Sequence, residues 1–120
     1  MTVSDVVRAS AADQAALVRT GEVSAREFVE AALDAIDRAN PELNAFVHVC
    51  AERALAEADA VRTGDPRPFC GVPVGIKDLF SATAGLPTEG CRAFGDRVAD
   101  HDTAHVRRLR EAGVSRRERA

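Results

Sequence analysis

Tryptophan and tyrosine are absent from this 120-residue chain, and phenylalanine occurs only five times. Alanine, valine and leucine must fill the core, and they bury less apolar area per residue than aromatic rings. No apolar run approaches the ~20 residues of a membrane-spanning helix, so no membrane partner is expected. The amino terminus, Met1-Thr2-Val3-Ser4-Asp5, lacks the basic and apolar regions of a signal peptide. Cys50, Cys70 and Cys91 are odd in number and widely spaced, with no C-x-x-C pair. That argues for reduced thiols in a cytoplasmic protein and against structural zinc. His48 stands apart from the other histidines. His101 and His105 are four apart and would share a helix face, but further ligands are missing, so no metal and no cofactor are expected. The net charge of -3 gives no reason to expect nucleic-acid binding.

What remains is a soluble, globular composition, 46% apolar and 29% charged, on a length that suits one small domain. A first helix is expected over 10–18, with Ser10 as N-cap and Gly21 beyond its end. Ser24-Ala25-Arg26-Glu27 is a capping-box pattern. Behind it Phe28, Val29, Ala32, Leu33 and Ile36 recur at helical spacing, and Asn40-Pro41 should stop the helix. Residues 45–49 are short, apolar and β-branched, which predicts a strand. A second long helix follows over 51–61, then a loop over 65–68. A buried strand is expected over 72–76, with Pro73 at an edge or a strand start. Residues 81–95 read as an ordered loop. Asp102 or Thr103 then caps a helix with Val106, Leu109 and Ala112 on its apolar face and Gly113 as its stop. The tail "VSRRERA" is mostly charged and reads either as a solvated end or as a chain that stops inside a larger fold.

One residue stands out. Of sixteen basic residues, fifteen are arginine, and the single lysine is Lys77, at the end of the apolar run "GVPVGI". A surface lysine with its stem along apolar neighbours is the ordinary reading. The functional reading needs burial, which disfavours a charged amine and makes it a base; a guanidinium stays protonated. Gly71 and Gly75 would permit the close backbone approach of a packed site.

"PFCGVPVGIKDLF" resembles the lysine motif of the amidase signature family, a P-x-x-G-x-P-x-x-x-K-D pattern met by Pro68, Gly71, Pro73, Lys77 and Asp78. "GEVSAREFVEAALDAIDRANPELNAFVHV" is similar to that family's amino-terminal helix and first strand. "GLPTEGCRAFG" and "DHDTAHVRRLREAG" are similar to the loop and helix that follow. The resemblance implies an α/β fold: the amino-terminal portion of a mixed β-sheet flanked by helices, incomplete here, over 1–113, with 114–120 a divergent Arg-rich tail. It implies hydrolysis of carbon–nitrogen amide bonds by a Ser–cis-Ser–Lys triad, with Lys77 as the base and a small-molecule amide as substrate of the full-length relative.

The family's two serines lie downstream in a Gly/Ser-rich segment. Of the serines present, Ser24 is a helix cap, Ser81 lies too close to the lysine, Ser115 is in the tail without a flanking glycine loop, and Ser4 and Ser10 precede the motif. The expectation is therefore a fragment carrying only Lys77, inactive alone and prone to self-association through open sheet edges. Cys91, where relatives often have serine, reads as a small buried thiol. Two other readings stand beside this one. Lys77 would serve as a Schiff-base nucleophile in one, and the chain as a small helical binding module without catalysis, its Arg-rich tail meeting an acidic partner, in the other.

Overall fold

The structure, a computed structural model, describes residues 3–77, 91–94 and 101–119, with the backbone alone for 3–4, 94 and 115–119. The order is α1 (Val3–Val6), α2 (Ala11–Thr20), α3 (Ala25–Leu43), β1 (His48–Val49), α4 (Ala51–Asp59), β2 (Pro73–Ile76), a 3₁₀ turn (Arg92–Phe94), α5 (Ala104–Glu111) and β3 (Ser115–Arg119).

Capping explains where the helices begin. Ser10 Oγ accepts the Asp13 N–H at 3.2 Å at the start of α2, and Gly21, at φ 80°, closes it. At α3 the Ser24 N–H donates to Glu27 Oε2 at 2.8 Å while the Glu27 N–H donates to Ser24 Oγ at 3.1 Å, so two free donors are satisfied reciprocally. The buried face of α3 is Ala25, Phe28, Val29, Ala32 and Ile36, close to the expected stripe.

The expected stop at Asn40-Pro41 is corrected. Helix α3 runs through Pro41 to Leu43 and closes on Asn44 in the left-handed region, whose N–H reaches Asn40 O at 2.7 Å. Proline forfeits one intrahelical bond, and so near the end that loss disturbs few others. Asn40 holds the chain beyond: its Oδ1 accepts the Phe46 N–H at 2.8 Å and its Nδ2 donates to Phe46 O at 2.9 Å. With Phe46's backbone so engaged, the expected strand over 45–49 shrinks to His48–Val49.

Among the described residues the sheet has three strands in the order β1-β3-β2, with β1 antiparallel and β2 parallel to β3. It is mixed, as expected, and Pro73 is the first residue of its strand. The Arg-rich tail is not the solvated end that one reading expected: among the described residues it supplies the central strand. His48 lies level with Arg119 and Val49 with Glu118; Val74 lies level with Arg116 and Gly75 with Glu118, so Arg117 is passed over.

The core gathers Val6, Ala15, Val18, Ala25, Phe28, Val29, Ala54, Ala58, Cys70 and Val72, and its alanines and valines answer the lack of large aromatics. Helices α3 and α4 pack against each other, and both touch the sheet. Gln14, also buried, donates from Nε2 to Val7 O and Ala9 O, each at 3.0 Å, and so ties the turn after α1 to α2. The loop expected over 81–95 lies outside the described residues except at 91–94. Cys91 is exposed rather than buried; the thiol that packs in the core is Cys70.

Candidate active site

The segment leading to Lys77 is held from both sides. Arg19 of α2 donates from Nε to Asp65 O and from Nη2 to Arg67 O, both at 3.2 Å. Asp65 turns back on Arg67: Oδ1 accepts the Arg67 backbone N–H at 3.0 Å, and Oδ2 accepts from Nη2 at 2.6 Å. The Arg67 guanidinium holds the Asp65 carboxyl below the usual carboxylate range, although burial opposes the shift. Sequence did not single out this pair; the Asp-Pro-Arg spacing, an Asx-turn signal, was the clue available.

Further on, the Phe69 N–H donates to Ala112 O and the Gly71 N–H to Gly113 O, both at 2.9 Å. These bonds dock the run before β2 onto the carboxyl end of α5. Gly71 and Gly113 both have positive φ, 74° and 99°. A Cβ on Gly71 would lie 2.6 Å from Ala25 Cβ, and one on Gly113 would lie 2.8 Å from Cys70 Cα. Close approach therefore requires glycine at both positions, as expected for Gly71; Gly75 is exposed within β2.

Lys77 follows β2 directly. Alternation along the strand buries Ile76, 4% exposed, and leaves Gly75 and Lys77 exposed. The burial that base chemistry needs is thus not supplied by the described residues. Asp78, next in the motif, lies outside them. A cleft of about 700 Å³ lies elsewhere, between the turn after α1 and α3, lined by Asp5, Arg8, Glu27, Glu30, Asp34 and Arg38 among others, and does not include Lys77.

The expected helix face shared by His101 and His105 does not form, because α5 begins only at Ala104 and is capped by Thr103. His105 Nδ1 lies 3.4 Å from Thr103 Oγ1. Among the described residues, no three His, Cys, Asp or Glu side chains are grouped to hold a metal ion, and no helix is long and apolar enough to cross a membrane.

The sequence profile described as Amidase matches residues 27–115, most of the chain and all of the strand that leads to Lys77. The chain belongs to the amidase family. Among curated amidase relatives it is 41% identical over 104 residues to a glutamyl-tRNA(Gln) amidotransferase subunit from Chromohalobacter salexigens, covering 82% of this chain and 21% of that protein. It is 42% identical over 117 residues to the correspondingly named protein of Salinispora arenicola, covering 92% and 24%. Solved amidases share its fold. A 6-aminohexanoate cyclic dimer hydrolase complexed with substrate is 34% identical with a TM-score of 0.84, over 94% of this chain and 23% of that one. A bacterial aryl acylamidase of the amidase signature enzymes is 30% identical with a TM-score of 0.84, over 92% and 24%. The chain thus spans about a quarter of the length of the relatives it matches.

Proposed function

We propose that these 120 residues carry the amino-terminal part of an amide hydrolase and contribute its base, Lys77, while the two serines come from chain outside them. The observation that carries this reading is the family match across 27–115 together with Lys77 at the end of β2, in the P-x-x-G-x-P-x-x-x-K-D pattern. In this reading Lys77 takes the proton of the middle serine, which activates the nucleophilic serine. That serine attacks the amide carbonyl, the C–N bond breaks to release the amine, and water cleaves the acyl-enzyme. Exposure of Lys77 fits a surface that further chain covers, since desolvation must accompany base chemistry.

The substrate is a small-molecule amide. Relatives named for a charged transfer RNA, a cyclic dimer and aryl acylamides share only the amide or acyl bond, so the class is set no more finely. Three cysteines outside any disulfide support a reducing, cytoplasmic setting.

The test has two arms. The 120-residue chain alone should show no turnover of small amides or esters above buffer. A chimera, with residues 10–113 in place of the matching part of an aryl acylamidase, should hydrolyse aryl amides and lose turnover by at least about a hundredfold in Lys77→Ala, the scale of general-base catalysis. Lys77-dependent turnover by the chain alone, or an active chimera indifferent to Lys77→Ala, would overturn the reading.

A further inference from the structure

We propose that Arg19 is a positioning residue for Lys77 and acts on it through the run 64–72; the proposal rests on the reading of Lys77 as the base. A basic residue in the last turn of a helix ordinarily serves that helix's own carbonyl end. Arg19, half-buried in the last turn of α2, sends its donors elsewhere. Nε and Nη2 reach the carbonyls of Asp65 and Arg67, both at 3.2 Å, and the Arg19 carbonyl accepts the Gly64 N–H at 2.9 Å. One residue of α2 thus fixes the chain from 64 to 67. A flat guanidinium serves two carbonyls at once, which the single ammonium of lysine does not do in that geometry.

What Arg19 fixes is passed along the chain. From Gly64 to Val72 every backbone N–H donates: that of Asp65 to Arg62 O, of Arg67 to Asp65 Oδ1, of Phe69 to Ala112 O, of Cys70 to Arg67 O, of Gly71 to Gly113 O and of Val72 to Phe69 O. The residues without an N–H, Pro66 and Pro68, have φ fixed by their rings. The run therefore has little slack in which a shift could be lost before β2 begins at Pro73. In β2 the alternation of faces puts Ile76 inside and Lys77 outside, and a slip of one residue would exchange them. The base is oriented by where this run delivers the strand, and Arg19 sets the start of the run.

The aryl acylamidase chimera carrying residues 10–113 contains the whole path. In it Arg19→Ala should lower kcat roughly tenfold, the loss expected of a misplaced catalytic group, with KM unchanged to within about twofold. Arg19→Lys, able to hold one carbonyl, should recover part of the loss, and it carries the test if Arg19→Ala does not fold. Ser24→Ala weakens a helix cap outside the run, so it should leave kcat unchanged and separate lost stability from lost position. In a Lys77→Ala background Arg19→Ala should cost nothing further, because a residue acting through Lys77 has nothing left to act on. A kcat indifferent to Arg19→Ala, where Lys77→Ala is damaging, would overturn this proposal and leave the base in place. A loss that persists undiminished in the Lys77→Ala background would also overturn it. A harmless Lys77→Ala would overturn the base and this proposal together. The 120-residue chain gives a readout without turnover. Lys77 is its single lysine, so a lysine-specific endoprotease cuts at that one place. Cleavage should run several-fold faster in Arg19→Ala than in Ser24→Ala; equal rates would overturn the proposal whether or not the chimera is active.

Discussion

At the scale of single residues, Gly71 and Gly113 make the sharpest demand. Each has positive φ, and the N–H of one donates to the carbonyl of the other. An alanine at either position adds about 1–2 kcal/mol of left-handed strain and about 1–3 kcal/mol of overpacking. Ala25 Cβ and Cys70 Cα cannot swing aside, because they move only with the backbone. Gly71→Ala and Gly113→Ala should each lower the urea midpoint at unchanged slope, and the double variant should lose less than the sum, since the pair is in direct contact. An unchanged midpoint in either single variant would show that the junction is not packed as described. Sequence made Gly71 legible through its motif and Gly113 only as a helix stop. The second role, backing onto Cys70, needed the fold. Lys77 divides in the same way. Its type and spacing were legible, but its exposure depends on what packs over β2, and no local pattern contains that.

At the scale of elements, start signals were legible and stop signals less so. A cap is a bond between neighbours in sequence, so Ser10 and Ser24 could be found without the fold. Ser24→Ala should cost about 1 kcal/mol of stability. The Ser24 backbone N–H, and then its hydroxyl, hold the Glu27 carboxyl below its usual range. A carboxyl lowered by folding adds stability above its unfolded range and loses it as pH falls through the folded value. The deficit of Ser24→Ala, measured by urea titration, should therefore be larger at neutral pH than in acid; a deficit equal at both would remove Glu27 from the account. The end of α3 was misplaced because Asn40 clamps Phe46, a contact that overrides the proline signal. The solvated-end reading of the tail gives way to β3 because strand pairing uses backbone N–H and C=O groups, for which charged side chains are no bar. Glu118 stands opposite both Val49 and Gly75, so Glu118→Pro should break the ladder at the centre of the sheet. Far-ultraviolet circular dichroism should show loss of the strand contribution, and an unaltered spectrum with an unaltered melting temperature would contradict a central β3.

For the whole molecule, the question is what the apolar surface outside the core does. Leu43 is 69% exposed and Val47 56%, and Val49 and Phe69 are both 37% exposed. Leu43 also borders a groove shared with Ala35, Ile36, Ala39, Ala45 and Phe46. Among the described residues, β1 and β2 each have one strand neighbour, β3, and so present an outer edge. Isolated apolar residues on a surface are ordinary, but an apolar groove whose lining ends just before an edge strand in the chain invites association. A net charge of only -3 on 120 residues opposes it weakly. The relatives are about four times longer, so the same fold in them has further chain available to cover such a face. Taken alone, the 120 residues should self-associate as concentration rises, seen by sedimentation velocity as a growing fraction of larger species. Leu43→Lys and Val47→Lys place charge on that face without touching the buried stripe of α3. They should shift the distribution toward monomer while leaving the thermal transition in place. A wild-type chain that stays monomeric at every concentration, or association that both substitutions leave untouched, would show that this face is not what brings the chains together.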